Sequence, residues 1–311
     1  MNLWNILQPI EVLIGWILYL FHELFSVLGL GRGAGVSWVL AIVFLTLFVR
    51  LCILPLFIRQ IHGIRKTQSL QPQLMAIQKK YKNKKDSASR QQMSQETMEL
   101  YRKNGANPMG SCLPMLLQLP IFFSLYNVLR TMNDVITGAR SPIGPIDIPN
   151  ATDFQNSQFF GVKLFETFSS MNDLSDRILI GALIVIMIGL TFVTQRISIF
   201  KNMPQTTLEG PQAGMQKAMI YILPFTYIFI GPMLPIGVLI YWVTTNTWTL
   251  GQTLWQVHYM PTPGSKAFEK FEERKREKKQ KEFENSDDGD KSQSHSGGQR
   301  VQPKKKSRNR R

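Results

Sequence analysis

Ser37-Trp38-Val39-Leu40-Ala41-Ile42-Val43-Phe44-Leu45-Thr46-Leu47-Phe48-Val49-Arg50-Leu51-Cys52-Ile53-Leu54-Pro55-Leu56-Phe57 is a run of 21 residues with one charge in it. A helix that crosses a bilayer needs about 20 mostly apolar residues, so this stretch reads as a membrane span with an arginine inside it. Three more apolar runs follow, Gly110 to Leu129, Ile178 to Val193, and Met219 to Trp255. The last is too long for one crossing. Its Gly231-Pro232-Met233-Leu234-Pro235-Ile236-Gly237 ends one helix and starts another, because proline lacks the backbone donor and glycine loosens the chain. The expectation is an all-α integral membrane protein with a five-span helical core.

Composition agrees once it is divided along the chain. A hydrophobic share of 44% beside a net charge of +15 fits neither a simple soluble domain nor a disordered chain. The mean hydropathy of -0.06 averages apolar runs against a very polar C-terminal end. Residues Ile6 to Leu30 are apolar from Val12 to Phe21 but carry Glu11, His22 and Glu23. They are expected to form an N-terminal interfacial helix with Trp4, Trp16 and Tyr19 at headgroup depth, a sixth span being the alternative. Met1 to Gln8 carries no Lys or Arg, so no cleaved secretory signal is expected there. Cys52 and Cys112 lie in apolar runs and read as buried packing thiols.

Lys and Arg concentrate in connections on the cytoplasmic side of membrane proteins. Arg59 to Pro108 holds eleven of them, Arg59, Arg65, Lys66, Lys79, Lys80, Lys82, Lys84, Lys85, Arg90, Arg102 and Lys103. Asn133 to Asp176 holds only Arg140 and Lys163 against six acids. Together with the basic link from Arg196 to Lys217, this predicts a multi-pass plasma membrane protein with its N-terminus outside and its C-terminus in the cytoplasm. The boundaries that follow are a lead-in at 1–36, a core at 37–258 with a cytoplasmic segment 59–108 and an external loop 133–176, and a tail at 259–311.

Within 59–108, Leu70, Leu74, Ile77 and Tyr81 form a helical stripe, and a second helix runs from about Ser89 to Lys103. The polar Lys82 to Ala88 reads as the turn of a cytoplasmic helical hairpin. From Pro261 the chain holds sixteen Lys or Arg against nine acids and closes on Lys304-Lys305-Lys306-Ser307-Arg308-Asn309-Arg310-Arg311. This basic tail is expected to be mostly disordered apart from a charged helix over Lys266 to Lys281. Its charge suits phosphate, of ribosomal RNA or of lipid headgroups.

Arg50 carries the functional argument. A guanidinium deep in a span costs roughly 2.5 to 3.5 kcal/mol on insertion scales, and no acid lies in the other spans to pair with it. A hydrated cavity open to the cytoplasm accounts for it, with Thr46 one turn earlier offering a hydroxyl to the same water. Gln118, Thr194, Gln195, Tyr241, Trp242, Thr244, Thr245 and Asn246 supply further polar or amphipathic groups. Such a groove suits transient lodging of a polar or acidic peptide stretch while its apolar neighbours move into lipid. No catalytic constellation competes: there is no Gly-rich phosphate loop, no Gly-x-Ser-x-Gly and no His-Glu-x-x-His. No enzyme activity, cofactor or metal is expected. A small-solute transporter or channel is the competing reading.

Leu45-Thr46-Leu47-Phe48-Val49-Arg50 with Leu54-Pro55-Leu56, Leu70-Gln71-Pro72-Gln73, Asn107-Pro108-Met109-Gly110-Ser111-Cys112-Leu113-Pro114 and Gln118-Leu119-Pro120-Ile121-Phe122 resemble the successive signatures of YidC membrane protein insertases. The resemblance covers roughly Gln8 to Gln256. It implies five core spans, a cytoplasmic hairpin, and a hydrophilic groove open to cytoplasm and lipid but closed outside. It also implies that Arg50 is the groove arginine, Thr46 the polar residue a turn before it, and Trp242 an aromatic groove position, with Gln195 matching less closely. Gly110-Ser111-Cys112 departs from the family's usual Gly-Gly-Cys by a small-for-small change. Nascent membrane proteins are the implied clients, and the ribosome, the Sec translocon and membrane lipids the implied partners.

Overall fold

The computed structural model describes residues 3–31, 35–84, 86–107, 113–209 and 213–293, with side chains described over 7–31, 35–84, 86–107, 116–209 and 213–283. In chain order the helices are α1 (Leu3–Phe25), which continues through a widened turn at Ser26–Leu30, α2 (Gly35–Ser69), α3 (Gln71–Tyr81), α4 (Ser87–Lys103), α5 (Leu113–Arg130), α6 (Met132–Ile136) and α7 (Ile148–Asn156). A two-stranded antiparallel pair follows, β1 (Gln158–Phe159) and β2 (Val162–Lys163). The rest is α8 (Leu174–Asn202), α9 (Gln205–Glu209), α10 (Ala213–Ile230), one tight turn at Gly231–Met233, α11 (Ile236–Tyr259) and α12 (Lys266–Gln293).

Four helical stretches among the described residues are long and apolar enough to cross a membrane: Leu7–Leu30, Gly35–Ser69, Leu174–Asn202 and Ala213–Met233. Three of these contain expected spans. The apolar helix Leu116–Arg130 is shorter, and residues 108–112, where the second span was expected to begin, lie outside the described residues. α11 has length enough, but Thr244, Thr245, Asn246, Thr247, Thr249, Gln252 and Gln256 lower its apolarity. The break read at Gly231 to Gly237 is present, and Leu234 and Pro235 take extended backbone angles between the tight turn and α11.

The first stretch is long and apolar enough to cross, which is the alternative to the interfacial helix that Glu11, His22 and Glu23 suggest. Two of its three polar residues are fully buried and partnered. Glu11 accepts from Arg140 Nη2 and from Asn127 Nδ2, the latter at 2.7 Å. His22 Nε2 lies 3.1 Å from Asp153 Oδ2.

The connection over 133–176 is expected from the sequence to be an external loop. It folds instead into a cap whose apolar side chains Val135, Ile143, Ile146, Phe154, Val162 and Leu164 join the main core. Phe154 packs edge-on against Trp38 at 5.4 Å, while His22 stacks on the other side of the indole at 4.0 Å. The indole Nε1 of Trp38 donates to Asp153 Oδ2 at 2.9 Å. The cap also accepts the first amides of α11, Ile236 N to Glu166 O at 3.1 Å and Gly237 N to Leu164 O at 2.9 Å. These donors have no partner within their own helix.

Burial is lopsided along the bundle. The buried core positions of α2 are Trp38, Ala41, Ile42 and Leu45, those of α5 Leu125, Val128 and Leu129, those of α8 Ile180 to Met187, and those of α11 Ile236 to Tyr241. All sit in the halves next to the cap. Toward the other end α2 continues unbroken past Phe57 to Ser69, so the first hairpin arm begins at Gln71 rather than near Ile61. Pro72 in the first turn of α3 suits a helix start, where its missing donor is not needed. Cys52, expected to be buried, is exposed on α2, because the slack half of the bundle leaves that face uncovered.

The hairpin itself is α3 against α4. Asp86 caps α4 by accepting from Ser89 N at 2.8 Å, and Glu96 accepts from Lys80 and, at 2.8 Å, from Tyr81 Oη. The Lys80 ammonium, then the Tyr81 hydroxyl, hold the Glu96 carboxyl below its usual range, and Glu96 in turn raises Lys80.

The described residues from Glu269 onward form a unit separate from the rest. It is helical to Gln293, further than the Lys281 expected. Glu, Lys, Arg and Gln up to Glu282 are good helix formers, and Lys278 pairs with Glu282 at 3.9 Å; the Asn, Ser, Asp and Gly residues beyond are weak ones, and their local propensity does not account for the extension. The terminal basic run lies outside the described residues.

Two predictions follow from this packing. A Cβ on Gly35 would stand 1.7 Å from the Gln158 carbonyl oxygen of β1, whereas one on Gly181 in α8 meets nothing within 4 Å. Gly35→Ala is therefore expected to lower the thermal stability of the detergent-solubilised chain by about 1 to 3 kcal/mol, with Gly181→Ala neutral or stabilising. Equal melting of both variants would show that the cap does not rest on α2. In the hairpin, the lowered Glu96 contributes stability above the ordinary Glu range and loses it as pH falls through its depressed value. The raised Lys80 contributes below the ordinary Lys range and loses it as pH rises through its elevated value. Amide protection across α3 and α4 is expected to stay flat from mildly acidic to mildly alkaline pH and to drop below roughly pH 4. Glu96→Gln is expected to blunt the drop, and an undiminished drop in that variant would assign it to another carboxylate.

Candidate groove in the loosely packed half of the bundle

Arg50 is half-buried on α2, and its side chain lines a narrow cavity of about 30 Å³. Ile53, Leu54, Phe57 and Gln60 of α2 share the lining with Leu117 and Gln118 of α5 and Gln252 of α11. The room is that of about one water molecule. Among the described residues no carboxylate forms an ion pair with Arg50; the pairs present involve Lys80, Lys103, Arg140, Lys278 and His22. Three carboxamides, Gln60, Gln118 and Gln252, surround it instead.

The expected site residues divide into three groups. Arg50 and Gln118 meet in the cavity, and Tyr241 joins them, since Gln118 Nε2 donates to Tyr241 Oη and so ties α5 to α11. Thr46 lies one turn from Arg50 but is buried, and its hydroxyl donates to its own helix at Ile42 O, 2.7 Å away. Its hydroxyl therefore keeps only lone pairs to offer water, and Thr46 is not among the residues that line the cavity. Trp242 and Gln195 do not line the cavity. Trp242 packs with Phe122 at 5.3 Å and Tyr227 at 5.3 Å, an aromatic joint between α5, α10 and α11. Gln195 stands half-buried on α8.

Sequence reasoning missed Gln60 and Gln252. Gln252 follows Tyr241 and Thr245 at helical spacing, which was a usable signal. Gln60 fell beyond the expected end of the span.

A second, wider cleft of about 770 Å³ opens between α2 and α11. Val43, Leu47 and Ile58 line it with Val243, Trp248 and Trp255, and Leu54 and Gln252 are shared with the Arg50 cavity. The two spaces thus lie side by side, one polar and narrow, one apolar and broad. Among the described residues no group of three His, Cys, Asp or Glu side chains is placed to hold a metal ion.

Residues 30–263 match the family profile described as 60Kd inner membrane protein. The chain is 43% identical over 266 residues to the membrane protein insertase YidC of Bifidobacterium longum, covering 85% of this chain and 79% of the relative. It belongs to the YidC insertase family. The YidC of Tropheryma whipplei is 39% identical over 275 residues, with 85% of this chain and 87% of the relative covered. The YidC of Streptomyces avermitilis is 38% identical over 274 residues, and this chain spans 61% of that longer relative. A solved structure described as an active YidC insertase crystal structure with the first transmembrane domain resolved is similar at 26% identity and a TM-score of 0.48, over 78% of this chain and 46% of that one. The profile match takes in every residue of the groove and leaves out α1 and α12. As a YidC family member with several long apolar helices, the chain is a multi-pass protein of the bacterial inner membrane.

Proposed function

We propose that this insertase receives nascent apolar segments by lodging their polar or acidic flanks beside Arg50 while the apolar part passes into lipid. The observation that carries the reading is a guanidinium in a half-buried cavity, ringed by neutral carboxamides and without an ion-pair partner among the described residues. An arginine already paired would attract nothing. Left unpaired where the local dielectric is low, it attracts a carboxylate far more strongly than it would in water. Release needs no nucleotide, since moving about 20 apolar residues into hydrocarbon is itself favourable. The family relation favours this over a solute transporter or channel.

In this reading α2, α5, α8, α10 and α11 are the five core spans. The hairpin end faces the cytoplasm and the cap faces outside, as the charge bias of 59–108 and 133–176 supports. The lopsided burial makes the groove closed on the cap side and accessible from the hairpin side. α1 lies along the outer interface: Glu11 and His22 are eleven residues apart, a rise of about 16 Å, yet Arg140 and Asp153 of the one cap hold both. The unit 259–311 is a basic tail that engages ribosomal RNA, and the Sec translocon and membrane lipids are further partners.

Arg50→Ala is expected to reach the membrane at normal abundance and to insert a client with a short acidic translocated flank several-fold less well than one with a neutral flank, while Arg50→Lys keeps the charge and is partly active. Equal insertion of both clients by the Ala variant would refute the groove charge; a loss of abundance affecting both alike would make Arg50 a packing residue. Deleting Lys291 to Arg311 is expected to weaken ribosome binding, with the remaining affinity less steeply dependent on salt, and to spare ribosome-independent clients. Unchanged ribosome binding would remove the tail assignment. In the same membranes a thiol probe at Lys84 is expected to be shielded from outside reagents and one at Asp147 to react; the reverse would invert the topology.

A further inference from the structure

Beyond the groove, α2 leads to a third space. Thr46, Arg50, Phe57, Ile64 and Gln68 recur at intervals of four, seven, seven and four residues, which places them on one face of the unbroken helix. The upper part of this face lines the Arg50 cavity and the lower part lines a pocket of about 270 Å³ at the hairpin end. That pocket is walled by Thr67 and Gln68 of α2, Gln71 of α3, Asn107 after α4, Thr207 of α9 and Gln216 of α10.

The lining has a definite chemical character. Among the described residues it is lined by no charged side chain, so neither a phosphate nor a metal cation has a counter-charge there. Of its six amides and hydroxyls Thr67 already donates to Gly63 O at 3.1 Å, and the other five are groups that carry both donors and acceptors. Gln68 Oε1 and Thr207 Oγ1 are buried and have no hydrogen-bond partner among the described residues. The carboxamide oxygen can only accept, so a matching occupant must bring N–H or O–H groups. A peptide backbone offers one donor and one acceptor per residue whatever its sequence.

We infer that this neutral pocket is a receiving site for the extended backbone of an incoming client, which is then handed along one face of α2 to Arg50. The inference rests on the insertase reading and adds an earlier station to it. Backbone recognition suits clients of unrelated sequence, and charge discrimination is deferred to the arginine. Gln68 and Arg50 are 18 residues apart on one helix, about 27 Å. An extended chain covers that distance in roughly 8 residues.

The test uses full-length protein in membrane vesicles and ribosome-stalled chains of one single-span client, lengthened stepwise. Photoreactive probes replace Met203, an apolar wall of the pocket, or Leu117, an apolar wall of the Arg50 cavity. Capture at Met203 is expected to precede capture at Leu117 by roughly 8 residues of chain length. A run of prolines, which lack the backbone donor, placed in the segment then at the pocket is expected to cut capture at Met203 several-fold. Gln68→Leu with Thr207→Val is expected to do the same at normal abundance. If that double variant fails to accumulate, the chain-length order and the proline run decide on the parent protein. Capture at Leu117 with none at Met203 would overturn the inference and make the pocket a space for water. Capture of the proline run as efficient as that of the parent would overturn backbone recognition. Capture at neither probe would overturn the insertase reading and the pocket with it.

Discussion

Trp38 is where the bundle is closed. Its indole is fully buried, stacked by His22 on one face, met edge-on by Phe154, and tied through Nε1 to Asp153, which also holds His22. One side chain thus joins α1, α2 and the cap. Helices in hydrocarbon gain little from hiding apolar surface from one another, because lipid is equally apolar. A cap outside the hydrocarbon is under no such limit, and burying Phe154, Ile146 and Leu164 there supplies a driving force of about 1.5 to 3 kcal/mol for each large side chain. By accepting the first amides of α11 from Leu164 and Glu166, the same cap fixes where the last helix begins.

Closure at one end permits looseness at the other. The halves of α2, α5 and α11 remote from the cap contribute few of the buried core residues, and the spaces around Arg50, between α2 and α11, and beneath the hairpin all lie along α2. A uniformly packed bundle would have to unpack in order to admit a peptide. Here the stabilising contacts and the accommodating surfaces are separated along the helix axes, so one can change without loss of the other. Gln118 bound to Tyr241 bridges the two regions, a polar tie from the loose half of α5 to the inner edge of the packed half of α11.

What could be read from the sequence was whatever hydropathy and charge express locally. The arginine within Ser37 to Phe57, the break at Gly231 to Gly237 and the contrast between 59–108 and 133–176 each need only a window of residues. The cap could not be read this way, because Ile143, Ile146 and Phe154 are spaced irregularly and become a core only when α1 and α2 are present. The setting of Glu11 was illegible for a related reason: a lone acid in an apolar run signals an exposed face unless its partner is known, and Arg140 lies 129 residues away. The length of α2 was missed because hydropathy ends at Phe57 while helical hydrogen bonding does not. That extension brings Gln60 into the cavity and Gln68 into the pocket below it.

The absence of an acid beside Arg50 then has an energetic reading. A buried ion pair would relieve the desolvation of the guanidinium but would leave no field for a client, and removing either partner would strand the other. Neutral amides are a compromise. Gln60, Gln118 and Gln252 line the cavity beside it and bring dipoles rather than an opposing charge, so part of the roughly 2.5 to 3.5 kcal/mol cost of an arginine in a span persists. Under the proposed function a client carboxylate would relieve that cost, and its binding would be transient because the apolar neighbours gain more by entering lipid than the flank gains by staying. Leu54 and Gln252, which line both the polar cavity and the apolar cleft, stand where those two tendencies meet. In the proposed function the polar flank is held weakly next to an apolar wall, and the arginine without an ion-pair partner among the described residues would make that hold selective without making it permanent.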